Sequence, residues 1–262
     1  MRRVTCSAPV REPLPSSALA RSRKARHGTE VVCEAVFRPL AHPLVLQLAR
    51  LRVPPPLVVA AAGAAGLAAA VELGRGSLLA AALLVQLKTL LDNADGQLAR
   101  LTGRASAFGR YLDSEIDLLV NAALFAGLGW TTGRPALALA GFLALTSVLS
   151  LNFNVERLAR RGAAEPKPEG GATAFVRGIY ALLYSPQDRL AETLVAWRPA
   201  LTAPRSVSLL ANLGLSTQLA AFGLLLALGH PLAFAWLALA EAAAIALPLL
   251  PRHLPRQREE VA

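Results

Sequence analysis

A short stretch of this chain combines four carboxylates with small residues and one arginine, inside segments that are otherwise apolar. Its members are Asp92, Asp95, Gly96, Ala99, Arg100, Gly109, Asp113 and Asp117. A charge at the centre of a bilayer costs about 2.5–3.5 kcal/mol on the insertion scale. Carboxylates kept in such segments must therefore face one another, water or a metal ion rather than lipid. The stretch marks a functional site.

Helical spacing brings these carboxylates together. On one helix, Asp92, Asp95 and Arg100 share a face, and on the next helix Asp113 and Asp117 do the same. A short turn between them makes the two helices antiparallel. Two carboxylates from each helix are therefore predicted to converge at one end of the pair.

Four converging carboxylates are typical of a site for hard divalent cations, Mg²⁺ or Mn²⁺ rather than zinc. One ion needs one or two carboxylates, so four indicate a pair of ions, which can stabilise both oxygens of an in-line phosphoryl displacement. The small residues Gly96, Ala99 and Gly109 let a ligand approach the helix backbone. Arg100 is a fork-shaped donor suited to phosphate. These features predict chemistry on a phosphoanhydride at a membrane surface.

The elements that must position these residues are predicted to be membrane helices. Apolar residues make up 54% of the 262 residues, charged residues 17%, and the mean hydropathy is +0.45. A transmembrane helix needs about 20 mostly apolar residues. Six segments qualify, and they are 55–74, 76–98, 107–129, 135–154, 207–229 and 231–250. The predicted fold class is an all-α polytopic membrane protein with six transmembrane helices.

Composition divides the rest of the chain. Residues 1–28 are predicted to be a disordered basic tail, residues 29–250 one membrane domain, and residues 251–262 a cytoplasmic tail. Within the domain, residues 29–52 favour an amphipathic helix on the membrane surface, broken by Pro39 and Pro43. Residues 155–206 form a long cytoplasmic loop. Its apolar stretch Phe175 to Tyr184 is either a second surface helix over the site or a spacer.

The positive charge of the chain is strongly one-sided. Lysine and arginine number 27 against 17 acidic residues, and only Arg75 and Arg134 fall in the short loops on the side away from the acidic stretch. The positive-inside rule then puts both termini and the aspartates on the cytoplasmic side of the cell membrane. Anionic lipid headgroups or phosphate-bearing substrates account for this charge. Nucleic acid is not an expected partner, because the chain lacks a soluble domain to read a groove.

Three weaker signals each leave two interpretations open. Gly63 and Gly66 favour close packing within the helix bundle over a dedicated dimer contact. Glu241 is interpreted as a paired or protonated structural acid rather than a functional one. Polar residues near helix ends could hold an acceptor phosphate, although ordinary flanking charge is the favoured explanation, and these are Arg110, Asn152, Asn154, Arg157, Arg205 and Asn212.

The acidic stretch also resembles a known signature. The pattern Asp-x2-Asp-Gly-x2-Ala-Arg-x8-Gly-x3-Asp-x3-Asp matches that of the CDP-alcohol phosphotransferase family at all eight specified positions. The predicted spans and surface helix are similar to the family as well, so that the resemblance covers roughly residues 40–250. The resemblance implies a homodimeric membrane enzyme of phospholipid biosynthesis. Such an enzyme transfers a phosphoalcohol group from a CDP-alcohol, such as CDP-diacylglycerol, to the hydroxyl of a polar acceptor and releases CMP.

The resemblance also implies roles for individual residues. Asp92, Asp95 and Asp113 correspond to metal ligands, and Asp117 to a metal ligand that is also the proposed general base. An alternative role for Asp117 is purely structural or metal-holding. The nucleotide side corresponds to Gly96, Ala99, Arg100 and Gly109.

One departure concerns the first span. Many family members carry an asparagine and a threonine there, where this chain has Pro56 and Val59. The departure removes two polar side chains near the nucleotide and puts contacts from that helix in doubt, but not the chemistry. Two alternatives to the enzyme remain, a polytopic divalent-cation transporter and an inactive family member that acts as a scaffold. The transporter does not explain the small residues and Arg100 at their spacings.

Overall fold

The computed structural model describes Ser22, residues 28–160 and residues 171–246. In these ranges all regular secondary structure is helical, which confirms the all-α prediction. A π-helical turn, Cys33–Phe37, precedes nine α-helices, and a 3₁₀ turn, Pro199–Thr202, follows the sixth. The α-helices are α1 (Arg38–Arg50), α2 (Pro55–Gly74), α3 (Leu78–Leu101), α4 (Ala107–Thr132), α5 (Pro135–Ala159), α6 (Gly171–Trp197), α7 (Pro204–Ala211), α8 (Leu215–Ala227) and α9 (Pro231–Ala246).

Local sequence signals explain where the central helices begin and end. Pro55 and Pro135 are the first residues of α2 and α5. Proline is tolerated there because a backbone N–H in the first turn has no hydrogen-bond partner within the helix. Ser106 caps α4 by accepting a hydrogen bond from the Gly109 backbone N–H at 3.0 Å. Gly133 ends α4 in the left-handed region at φ 63°, a conformation that glycine adopts without strain.

Among the described residues, three helical segments are long and apolar enough to cross a membrane. They are Pro55–Gly74, Pro135–Ala159 and the combined Pro204–Ala227, while α9 is apolar but has 16 residues. Helices α3 and α4 have 24 and 26 residues, and they are less apolar because they carry the charged stretch. The predicted tails 1–28 and 251–262 lie outside the described residues, apart from Ser22 and Gly28.

The predicted span over 207–229 coincides with the apolar segment Pro204–Ala227, but the helix there is interrupted. The chain breaks between α7 and α8, where Asn212 turns back to the start of the domain. Its side chain accepts from the Val31 N–H at 2.9 Å and donates to the Thr29 carbonyl at 2.8 Å. A side chain at Gly214 would lie 2.8 Å from a carboxylate oxygen of Glu30. These tertiary contacts, which the apolar pattern does not reveal, fix the break.

The prediction that Pro39 and Pro43 break the surface helix is also wrong. Pro39 lies in the first turn of α1, and Pro43 lies inside that helix. The π-helical turn ends with the Arg38 N–H bonded to the Cys33 carbonyl. This wider turn lets the chain enter α1 without the hydrogen bond that Pro39 lacks. One face of α1 packs on α3 through Ala41 and Val45.

The segment 155–206 is mostly helix rather than loop. Helix α5 continues to Ala159, and α6 runs through Pro186 to Trp197. The stretch Phe175 to Tyr184 therefore belongs to a helix and is not a spacer. The linker predicted around Pro166 and Pro168 lies outside the described residues.

The bundle is packed closely around α2, α3 and α4. A side chain at Gly63 would lie 2.7 Å from Ile116 of α4, and one at Gly66 would collide with Val120. The prediction that these glycines serve close packing within the bundle is confirmed. Glu241 is a paired acid as expected, because Gln218 donates to it at 2.5 Å. Outward-facing leucines such as Leu79, Leu83 and Leu139 are more than half exposed, and such exposed apolar rows are expected of helices surrounded by lipid.

Candidate active site

The site lies at the junction of α3 and α4. Leu101 ends α3, the turn contains Gly103 at φ 66°, and the Ser106 cap starts α4. This short connection makes the helices antiparallel, so that the last turns of α3 face the first turns of α4. The predicted convergence of the carboxylates at one end of the pair is therefore present.

Three of the four aspartates form a compact group. One carboxylate oxygen from each of Asp92, Asp95 and Asp113 lies within 4.8 Å of the others. Asp95 is 6% exposed, and its Oδ2 is buried with no hydrogen-bond partner. A buried carboxylate oxygen without a partner is unfavourable unless a cation binds it. The donor set therefore fits a divalent cation with oxygen ligands.

The fourth aspartate is engaged differently. The ammonium of Lys88 on α3 lies 2.5 Å from Oδ1 of Asp117 and 2.7 Å from Oδ1 of Asp92. The Lys88 side chain is 1% exposed, so it neither extends to the membrane surface nor is free to meet phosphate. Lys88 thus bridges the two helices beside the three-aspartate group.

A cavity of about 340 Å³ opens next to the aspartates. All four aspartates line it, together with Gly96 and Arg100. Arg100 folds over Gly96, where a Cβ would lie 3.0 Å from Nη1, and its Nε donates to the Ser22 carbonyl at 2.7 Å. A side chain at position 96 would therefore push the guanidinium from its present place by a few tenths of an ångström. This polar, open cavity is large enough for a phosphorylated ligand.

Ala99 and Gly109 are not among the residues that line this cavity, although the structure describes both. Gly109 lies at the start of α4, and its N–H is bonded to Ser106. The described residues that line the cavity include none of α2. Six of the eight signature positions that the sequence assigns to the site therefore line the cavity.

Helix α6 covers one side of the cavity. Tyr184 donates to the Ser114 carbonyl at 3.2 Å and stacks on Tyr180 with ring centroids 4.6 Å apart. Burial, and then the nearby carboxylates Glu115 and Asp117, raise the pKa of Tyr184 above its usual range. The phenol is therefore neutral throughout the physiological pH range. Asp188 of the same helix accepts from Asn154 at 2.8 Å, which fixes α6 to α5.

A smaller cavity of about 160 Å³ adjoins the first and carries three arginines, Arg110, Arg157 and Arg177. Two of the predicted phosphate candidates, Arg110 and Arg157, thus meet in one place. Asn152 lines the larger cavity, while Asn154 and Asn212 have structural hydrogen bonds. Arg205 lines neither cavity.

Sequence reasoning missed several residues at the site. The ion pairs of Lys88 were not predicted, and neither were the individual cavity positions of Tyr180, Tyr184 and Asp188. Lys88 lies four residues before Asp92, and that helical spacing was a usable signal for its pairing. A helix over the site was one of the two interpretations left open for Phe175 to Tyr184, and the packing of α6 on α4 and α5 decides which of its residues reach the cavity.

Comparison with known proteins decides the family. The family model described as CDP-alcohol phosphatidyltransferase matches residues 40–247, which is most of the chain. The chain belongs to the CDP-alcohol phosphatidyltransferase family. The signature and the all-helical fold of this chain agree with that assignment.

Several curated proteins resemble this family member over part of their length. A phosphatidylinositol phosphate synthase of Mycolicibacterium smegmatis is 29% identical over 50% of this chain and 62% of its own. An archaetidylinositol phosphate synthase of Methanothermobacter thermautotrophicus is 31% identical over 45% of this chain and 60% of its own. A bifunctional IPC transferase and DIPP synthase of Thermococcus kodakarensis is 38% identical over 33% of this chain and 20% of its own. The chain spans less than two thirds of the length of each.

The three-aspartate group predicts a specific effect of Asp95. Replacing Asp95 with Asn should weaken Mn²⁺ binding by at least about 100-fold. Loss of a residue that only hydrogen-bonds to a metal ligand lowers metal affinity by about 10–100-fold, and loss of a ligand itself should cost more. Isothermal titration of the detergent-purified protein measures this. The unfolding midpoint without metal should not fall, because the substitution removes one of several mutually repelling charges.

The matched control is Glu72→Gln on α2, whose carboxylate pairs with Arg75 at 2.7 Å away from the site. Its Mn²⁺ affinity should equal that of the unmodified protein. Unchanged affinity in Asp95→Asn would show that the group does not bind the ion.

Proposed function

We propose that this family member is an integral membrane transferase. It moves a phosphatidyl group from a CDP-alcohol such as CDP-diacylglycerol to the hydroxyl of a polar acceptor, releases CMP, and thereby serves phospholipid biosynthesis. The observation that carries the proposal is the group of Asp92, Asp95 and Asp113 oxygens within 4.8 Å, on the wall of a 340 Å³ cavity. That combination suits a metal-assisted reaction of a pyrophosphate.

The metal-binding role falls to Asp92, Asp95 and Asp113, with Mg²⁺ or Mn²⁺ as the cofactor. When bound, such an ion supplies positive charge against the pyrophosphate and the departing CMP. A pair of ions, as four carboxylates suggest, would also need Asp117 as a ligand. Without metal, Asp117 pairs with Lys88.

Asp117 is the proposed general base. Lys88 holds its Oδ1, which fixes the carboxylate and leaves Oδ2 as the atom that takes the acceptor's proton. The acceptor oxygen forms a bond to the phosphorus on the lipid side of the pyrophosphate, the bond from that phosphorus to the bridging oxygen breaks, and CMP leaves with the electron pair. Removal of the proton as the bond forms makes the hydroxyl a stronger nucleophile.

The nucleotide side is proposed at Gly96 and Arg100, which line the cavity, with Ala99 and Gly109 allowing close approach of the backbone. The guanidinium of Arg100 already lies against Gly96. Because it lines the cavity, it can donate hydrogen bonds to a phosphate oxygen of the nucleotide.

The acceptor is proposed to carry a phosphate, with inositol phosphate as the first candidate. Two of the relatives are named as phosphatidylinositol phosphate and archaetidylinositol phosphate synthases. The adjoining cavity with Arg110, Arg157 and Arg177 provides donors of the right charge. The guanidinium group of arginine can donate two parallel hydrogen bonds to the oxygens of a phosphate.

Release of CMP from CDP-diacylglycerol tests this function directly. The purified protein with Mg²⁺ or Mn²⁺ should release CMP when inositol 1-phosphate is supplied, and much less with glycerol 3-phosphate, inositol or serine. Replacing Asp117 with Asn should lower the rate by about 10²–10⁴-fold, the usual contribution of a general base.

Glu72→Gln serves again as the control and should retain full activity. No CMP release with any acceptor, from a folded protein that does not bind a CDP-lipid, would refute the enzyme assignment and leave a transporter or an inactive scaffold. Release with a different acceptor alone would refute inositol phosphate but retain the reaction.

The placement in the membrane is proposed from charge and helix length. Six spans (α2, α3, α4, α5, α7 with α8, and α9) would put both termini, the aspartates and the surface helix α1 on the cytoplasmic side of the cell membrane. A homodimer is proposed from the family resemblance. The concentration of Lys and Arg on the side of the site supports this orientation.

Cysteine labelling tests the orientation. In a background with Cys6 and Cys33 replaced by Ser, Arg134→Cys should react with a membrane-impermeant maleimide in intact cells, because it lies in the turn between α4 and α5. Arg104→Cys, in the turn at the site, should react only after permeabilisation. Labelling of Arg104→Cys in intact cells would contradict the proposed orientation.

A further inference from the structure

We propose that helix α6 lies in the membrane–water interface at the end of the bundle that holds the site. Its outer face inserts among the lipid headgroups and the first part of the acyl chains, while its inner face forms the cavity wall described above. The partner of the outer face is therefore the bilayer itself. The inference rests on the proposed placement in the membrane and not on the transferase reaction.

The outer face of α6 is apolar and exposed. Its large side chains recur every seven or eight residues, which places them on one side of a helix, and they are Phe175, Leu182, Leu190 and Trp197. Their exposed fractions are 71%, 79%, 61% and 51%. The described part of the chain thus leaves this row more than half uncovered. Leucine, phenylalanine and tryptophan on one face of a helix that is polar on the other are typical of helices lying in a membrane interface.

The opposite face attaches α6 to the bundle. The ring centroid of Tyr180 lies 5.2 Å from that of Tyr111 on α4. Asp188 accepts a hydrogen bond from Asn154 on α5 at 2.8 Å, and Ala191 is buried in an apolar cluster with residues of α5. Because these side chains point into the bundle, the apolar row on the other side of α6 points away from it.

The contacts of α6 lie close to the ends of the helices on which it packs. Tyr111 comes four residues after the first residue of α4, and Asn154 comes five residues before the last residue of α5. At a rise of 1.5 Å per residue, these contacts are about 6–8 Å inside the helix ends. Interfacial helices insert their apolar face about 5–10 Å into the boundary between headgroups and acyl chains. Helix α6 therefore packs against the sides of two proposed spans at the depth of that boundary.

Positive charge borders the apolar row. Arg189 is exposed beside Leu190, and the guanidinium of Arg198 lies 4.8 Å from the ring centroid of Trp197. Arginine extends its charged end to the headgroups while its stem lies along apolar surface, and tryptophan is enriched at membrane interfaces. Anionic headgroups attract such basic positions. The charge and the apolar row thus fit the same partner, a lipid surface.

Nitroxide accessibility tests this placement. The full-length chain, with Cys6 and Cys33 replaced by Ser, is spin-labelled at Leu182→Cys or Leu190→Cys in nanodiscs of phosphatidylcholine and phosphatidylglycerol. Both labels should collide several-fold more often with oxygen, which concentrates in the bilayer, than with a water-soluble nickel chelate. Leu83→Cys on α3, which is also more than half exposed, is the matched lipid control. Arg104→Cys in the turn at the site is the water control.

Two results at the α6 positions would overturn the inference. Collision with the nickel chelate as frequent as at Arg104→Cys would show that the outer face lies in water. Low accessibility to both reagents, or spectral broadening that disappears when labelled chains are diluted with unlabelled ones, would show that protein covers the face, as in a contact with a second copy.

Trp197 provides a second measurement that needs no substitution on α6. The chain has three tryptophans, so Trp130→Phe with Trp236→Phe leaves Trp197 as the only one. Phosphatidylcholine brominated near the headgroup end of its acyl chains should remove most of the Trp197 fluorescence. Fluorescence that does not change with the brominated lipid would overturn the inference.

The controls separate this inference from the other proposals. A water-accessible label at Leu83→Cys would refute the membrane placement of α3 and with it the inference. Lipid exposure at Leu83→Cys with water exposure at Leu182→Cys would overturn the inference for α6 alone. Neither measurement uses CMP release, so failure of the transferase proposal would be detected separately.

Discussion

The structure depends on compensating a dense group of negative charge inside a helical membrane domain. Asp92, Asp95, Asp113 and Asp117 meet where α3 and α4 join, and Lys88 lies between two of them with its ammonium buried. Breaking a buried pair by removing one partner costs about 3–5 kcal/mol in other proteins, because the remaining charge is left uncompensated. The junction can therefore persist only while an ammonium, a metal ion or both face these carboxylates.

The surrounding elements keep that junction in place. Glycines on α2 let it approach α4 closely, since side chains at Gly63 or Gly66 would collide with Ile116 or Val120. Helix α1 packs on the last turns of α3 through Ala41 and Val45. Helix α6 closes another side and brings Tyr184 to the cavity. The closely packed apolar bundle thus holds the polar residues of the site at one of its ends.

Much of the site could be predicted from sequence because helical spacing converts directly into a shared face. The four aspartates, Gly96 and Arg100 line one cavity for that reason. The break at Asn212 and the continuation of α1 through Pro43 were not predicted, since each depends on contacts between distant segments. The same limit applies to Tyr184, which α6 brings to the cavity from far along the chain. The bridging role of Lys88 required knowing which neighbours its ammonium would find across the helix pair.

The central claim is that the acidic junction of α3 and α4 is a divalent-cation site. The most direct measurement is anomalous scattering from crystals of the protein grown with Mn²⁺. The account predicts an anomalous peak within bonding distance of Asp92, Asp95 and Asp113. No peak at these residues, or a peak bound only to other residues, would contradict it.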